Sequence, residues 1–166
     1  MNPPVRTKDH QDGLWKGIAD RTVDVIGSDH APHTLEEKAK EYPASPSGMT
    51  GVQTMLPIML NHVNNGRLSL EHLVSLLCQK PAEIYKLKGR GKIEVGMHAD
   101  LTLVDMNKEM TITDEWIESK CGWTPFAVKK FAVGPSGFSY AEKKPCGKAN
   151  FSARIVASLV SLNNVF

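Results

Sequence analysis

Between Val25 and His33 the chain reads VIGSDHAPH, placing Asp29, His30 and His33 within five positions at the end of an apolar, β-branched stretch. A carboxylate directly after such a stretch can serve as a hard oxygen ligand for a divalent metal. It can also pass a proton to and from metal-bound water. The same side chain can instead cap the following turn, a common use of Asp. His30 and His33 are separated by Ala31 and Pro32, so they do not share a helical face as the i, i+4 histidines of a zinc helix do. By residue physics alone each is as readily a surface or core-edge histidine. A metal-assisted site and a capped turn both remain open at this level.

The elements around this stretch have the rhythm of an α/β unit. TKDHQDGLWKGIADR has a cap in Thr7 and apolar residues at Leu14, Trp15, Ile18 and Ala19, which predicts a short amphipathic helix. TVDVIGS then reads as a short strand, and in parallel α/β architectures catalytic groups sit at the carboxyl ends of strands. The connection from Asp29 to Ser47 is long, carries Pro32, Pro43 and Pro46, and is of the kind that usually serves function or moves. GVQTMLPIMLNHVNNG and SLEHLVSLLCQKPAEIYKL read as helices, the second capped by Ser69 and followed by a short helix starting at Pro81. From Gly89 the period changes to two in GRGKIEVGMHADLTLVDM, which places a subdomain boundary near Lys88.

Set in order, these motifs resemble one family. Gly27-Ser28-Asp29-His30-Ala31-Pro32-His33, with Lys38 five positions on, resembles the signature of dihydroorotases in the amidohydrolase superfamily. MNPPVR before it, SPSGMTGVQTMLP after the loop, and GKIEVGMHADLTLVD beyond the helices resemble that family in the same order. The likeness spans about residues 1 to 127.

The resemblance implies an α/β fold in which residues 1–88 form the C-terminal portion of a TIM-like amidohydrolase barrel and 89–127 part of a small β subdomain. TVDVIGS would be the last barrel strand, with Asp29 both a metal ligand and the general acid/base. Asn2 and His33 would contact substrate, and Ser47 and Gly48 would meet its ring through backbone groups. His30 has no such role and is expected to be structural. The implied activity is the zinc-dependent, reversible hydrolysis of dihydroorotate to N-carbamoyl-aspartate in pyrimidine biosynthesis. Allantoinases and hydantoinases open similar cyclic amides, and the Asn of NPP is the one residue that favours dihydroorotate.

The family's binuclear zinc centre also needs a His-x-His pair, a carboxylated lysine and two further histidines, all upstream of the matching region. Asp29 is the single ligand this sequence supplies, and tight sites take three or more. The polypeptide alone is therefore expected to be inactive. Its partners would be the small-molecule substrate and either further copies in a homo-oligomer or the missing N-terminal half. The alternatives are a non-catalytic, dihydroorotase-like module that assembles with a partner enzyme, and a fragment of an allantoinase or hydantoinase.

Length agrees with a part rather than a whole. An eight-fold α/β barrel needs roughly 250 residues, and the chain has 166. No apolar run approaches the roughly 18 residues of a membrane span, and MNPPVRTKDHQDG lacks the pattern of a secretory signal, so the expected compartment is the cytoplasm. Cys78, Cys121 and Cys146 are odd in number and form no C-x-x-C pair, which predicts reduced, structural thiols. The formal charge of +2 comes from the tail: from Val128 onward six Lys or Arg face Glu142 alone, leaving 14 basic and 17 acidic residues before it. A nucleic-acid surface spread over the fold is a poor inference from that distribution.

The tail, 128–166, departs from the family just after TPFA and shows no period. Codons allowed for KFAVGPSGFSYAEKKPCGKANF can be read one base out of step as VCGWPVGFFLRGKKAMWEGKF, which resembles the family's closing strands. Residues from about Val128 therefore read as frameshifted sequence, with a genuine basic extension that binds a partner as the rival reading.

Overall fold

A computed structural model describes residues 2–128 in full, and 130–131, 134–139 and 154–156 as backbone strands. The first helix, α1 (Lys8–Ala19), starts from Thr7 in extended conformation, although the Thr7 side chain makes no capping bond. A short α2 (Leu35–Lys38) interrupts the long connection, and its cause is local. Thr34 accepts from the Glu37 N–H while the Glu37 carboxylate accepts from the Thr34 N–H, a reciprocal capping box.

Helix α3 (Val52–Asn64) is followed by a continuous helical run made of α4 (Leu70–Val74), a π turn (Ser75–Gln79) and α5 (Lys80–Ile84). Ser69 caps this run by accepting from the His72 N–H, as its position predicts. Pro81 has no N–H to give and its ring crowds the carbonyl four residues back. The wider π turn just before it, closed by the Lys80 N–H on the Ser75 carbonyl, accommodates that interruption without ending the helix.

The helices and one strand share a core of Leu56, Met59, Leu60, Leu73, Leu77, Cys78 and Val104. Leu60, Leu73 and Val104 are fully buried, each stabilising by about 1.5–3 kcal/mol relative to exposure. Val104 lies on β1 (Leu101–Asp105), whose alternating burial matches the period-two pattern of the sequence. β1 is the middle strand of an antiparallel sheet, between β4 (Gly134–Ser139) and β5 (Arg154–Val156). A smaller pair joins β2 (Met110–Thr111) to β3 (Lys130–Phe131). Much of the tail, including Cys146, lies outside the described residues.

The expected strand TVDVIGS is corrected: residues 22–28 belong to no strand. Strand identity needs a hydrogen-bonded neighbour, and the segment instead lies against the helical run, the Ile26 N–H donating to the Leu76 carbonyl. Its only ladder contact among the described residues is a single parallel bridge at its end, His30 to Met49. Nor do the described residues form a barrel.

Candidate functional site

Asp29 sits at φ 44°, in the left-handed region that Asp tolerates better than most residues. Its side chain is exposed, and among the described residues nothing hydrogen-bonds to its carboxylate. The capping use left open by the sequence is therefore not the one adopted. A non-glycine residue held at positive φ with a free carboxylate is a pattern that clusters at functional sites.

His30 takes the capping part instead. Its Nδ1 accepts from the N–H groups of Gly51 and Val52, at 3.2 and 3.3 Å, where α3 begins. Gly51 has no side chain with which to cap, so the imidazole supplies the acceptor from another segment. Nδ1 must carry a lone pair to do so, which puts the ring proton on Nε2. The structural role expected for His30 thus has a definite form.

The segment 46–51 is seated against the end of the Asp29 stretch. The Ala31 N–H donates to the Met49 carbonyl at 3.1 Å. Two glycines permit the approach. A Cβ on Gly48, at φ 127°, would meet the Ala31 carbonyl at 2.6 Å, and one on Gly51 would meet the Ser28 carbonyl at 2.5 Å. Lys38 holds the same segment from the other side, its Nζ donating to the Pro46 carbonyl at 2.7 Å and to the Gly48 carbonyl at 3.2 Å.

His33 is half-buried between two fixed points. Its Nδ1 lies 3.4 Å from Glu37 Oε2, and its carbonyl accepts from the Trp123 indole N–H at 2.7 Å. The Thr34 backbone N–H, and secondarily His33, hold the Glu37 carboxyl below its usual range. Trp123 in turn offers its carbonyl to the Thr50 hydroxyl at 2.6 Å. Sequence reasoning missed Trp123, because no local signal ties residue 123 to residue 33. It also missed the Thr34–Glu37 box, for which T-x-x-E was a legible signal.

Of the sequence-predicted residues, Asp29, His33, Ser47 and Gly48 are therefore gathered on two adjoining segments. Asn2 is exposed, and no hydrogen bond among the described residues ties it to them. The donor set does not fit a binuclear zinc centre: no three His, Cys, Asp or Glu come together among the described residues. Asp29 is a single hard ligand, and its neighbour His30 spends Nδ1 on the helix.

A profile for the Amidohydrolase family matches residues 5–131. The chain belongs to the amidohydrolase family. Among curated proteins it is similar to the dihydroorotase of Endomicrobium trichonymphae, 42% identical over 81% of this chain and 32% of that protein. It is also similar to the dihydroorotase of Brevibacillus brevis, 46% identical over 76% of this chain and 30% of that protein. The chain thus spans about a third of the length of the curated relatives it matches. Among solved structures it resembles the L-hydantoinase (dihydropyrimidinase) from Arthrobacter aurescens, with TM-score 0.81 at 30% identity, over 96% of this chain and 34% of that one. A D-hydantoinase matches with TM-score 0.79 at 27% identity, over 84% and 32%. These matches support an amidohydrolase fold.

Proposed function

We propose that this amidohydrolase chain is the C-terminal part of a dihydroorotase, catalysing the reversible hydrolysis of dihydroorotate to N-carbamoyl-aspartate once the rest of the enzyme is supplied. The observation that carries the reading is the level of likeness to dihydroorotases, 40–46% identity against 30% or less to the hydantoinase structures. On the same likeness we assign residues 1–88 to the barrel, 89–127 to the β subdomain, and the protein to cytoplasmic pyrimidine biosynthesis. The tail 128–166 is read as frameshifted sequence on the out-of-step reading of its codons. Resequencing the locus through the Ala127–Lys130 codons tests it, an intact frame being the result that sinks it.

In the proposed reaction, water adds to the ring amide carbonyl and the C–N bond breaks. The proton lost by the attacking water is carried by the Asp29 carboxylate to the departing ring nitrogen. The free carboxylate and its place at the end of 22–28 suit that traffic. His33 donates to the substrate carboxylate, the Asn2 amide can donate beside it, and the backbone at Ser47 and Gly48 meets the ring. The described residues do not by themselves accommodate the zinc pair of the dihydroorotase resemblance, so no step is assigned to metal. Association with a polypeptide bearing the N-terminal half would complete the site, and further copies in a homo-oligomer are the other partner.

The test is an assay of dihydroorotate ring opening with the purified chain, alone and co-expressed with a polypeptide carrying the upstream two thirds of a dihydroorotase. No turnover is expected alone, and turnover is expected from the pair. Asp29→Asn should lower the pair's kcat by about 10²–10⁴. A pair that opens hydantoin and leaves dihydroorotate untouched would transfer the reading to hydantoinase, which the solved structures favour by name. A complex that forms without either activity would leave the chain a non-catalytic module.

A further inference from the structure

Lys38 belongs to the motif but has no part in the chemistry above. The structure assigns Lys38 as a positioning residue that aims the backbone N–H groups of Ser47 and Gly48 at the substrate, an inference resting on the proposed substrate-binding role of that segment. Its ammonium bridges the carbonyls on either side of Ser47, those of Pro46 and Gly48, at 2.7 and 3.2 Å. A trans peptide is planar, with its C=O and N–H pointing opposite ways. Holding the Pro46 carbonyl toward Lys38 therefore turns the Ser47 N–H away from it. The Ser47–Gly48 peptide is then bracketed between two fixed carbonyls.

The N–H groups of Ser47 and Gly48 have no hydrogen-bond partner among the described residues. Two successive free backbone donors make a concavity suited to an anionic or carbonyl oxygen. No carboxylate pairs with Lys38 among the described residues, so its charge is left to favour an anion nearby. The lysine is itself fixed: it ends α2, whose capping box is tied through Glu37 to His33. On the far side His30 anchors Gly51 and Val52. The segment is clasped by a cation at one end and an imidazole acceptor at the other.

The test compares the full chain with Lys38→Met and Lys38→Arg by NMR, each paired with the upstream polypeptide of the proposed enzyme. N–H residual dipolar couplings report the orientations of Ser47 and Gly48, those of α3 and the unfolding midpoint report the fold, and dihydroorotate is the titrant. Lys38→Met should average the couplings of Ser47 and Gly48 while leaving α3 and the midpoint in place, and should raise the dihydroorotate Kd about tenfold. Lys38→Arg, which keeps the charge and the donors, should restore most of both. Unchanged Ser47 and Gly48 couplings in Lys38→Met would overturn the inference whatever the ligand does. A wild-type segment with fixed couplings that do not respond to dihydroorotate would instead overturn the substrate role of the segment, and with it Lys38's part in binding. Should Lys38→Met fail to fold, a Lys38→Arg chain with wild-type stability that still loses the couplings would contradict the clasp as drawn.

Discussion

At Gly48 the backbone adopts φ 127° and leaves no room for a side chain, since a Cβ would lie 2.6 Å from the Ala31 carbonyl and 2.8 Å from the Ala31 Cβ. Gly48→Ala is therefore expected to destabilise the chain by about 1–3 kcal/mol and to unseat segment 46–51 from Ala31, measured by denaturant unfolding and by exchange of the Ala31 amide. Gly13, whose Cβ would meet nothing, is the comparison: Gly13→Ala, in the interior of α1, should be neutral or stabilising. Burial pushes the Cys78 thiol up to about 12, whereas Cys121 is partly exposed. Alkylation at pH 8 should accordingly reach Cys121 at least about tenfold faster than Cys78, as read by peptide mass spectrometry. The sequence carried the residue types at this scale but not their uses. Asp29 was legible as a carboxylate at the end of an apolar stretch; that it would be left free while His30 did the capping depends on where α3 begins in space.

Among the elements, α1 docks on α3 through few contacts, and those contacts titrate. The Trp15 ring meets His62 edge-on at 4.7 Å between centroids, and the Arg67 guanidinium lies 4.3 Å over the same indole. Trp15→Ala should cost about 2 kcal/mol, less than a fully buried Trp because Trp15 is only partly buried. Burial, and then the Arg67 charge, lower the His62 pKa, so the docked state prefers the neutral ring. The unfolded chain therefore takes up this proton first as pH falls. Stability from this contact is in place above histidine's ordinary range and is lost as pH drops through the depressed folded value. Urea midpoints at pH 7.5 and pH 5 should fall more for the wild type than for His62→Gln; an equal fall would remove His62 from the docking. The α3 and α4–α5 helices were readable from apolar spacing and the Ser69 cap because their signals are local. The segment 22–28 has a strand's composition, yet strand pairing is a property of two segments, and among the described residues its neighbour is the helical run, met through the Ile26 to Leu76 bond, and not a strand.

For the whole molecule the decisive element is β1, because it joins the described body to the tail. Its Thr102 and Val104 are buried, Val104 within the core it shares with the helices, and both of its edges are occupied by strands from beyond residue 128, β4 on one side and β5 on the other. Neither partner was legible: the tail's sequence has no alternation to advertise a strand, and backbone pairing does not require one. An apolar strand stripped of both neighbours presents two rows of unpaired N–H and C=O groups, the situation that drives edge-to-edge association. A chain ending at Val128 keeps the α1–α5 body but leaves β1 bare. It is expected to scatter light and sediment as aggregates at concentrations where the full chain does not, while retaining the helical far-UV signal. Adding Thr102→Lys and Leu103→Lys to the shortened chain, which charges both faces of the bare strand, should restore solubility at the cost of the packing around Val104. If the shortened chain instead stays monodisperse and unfolds at the full chain's midpoint, β4 and β5 contribute nothing to the fold, and the body stands on its helices alone.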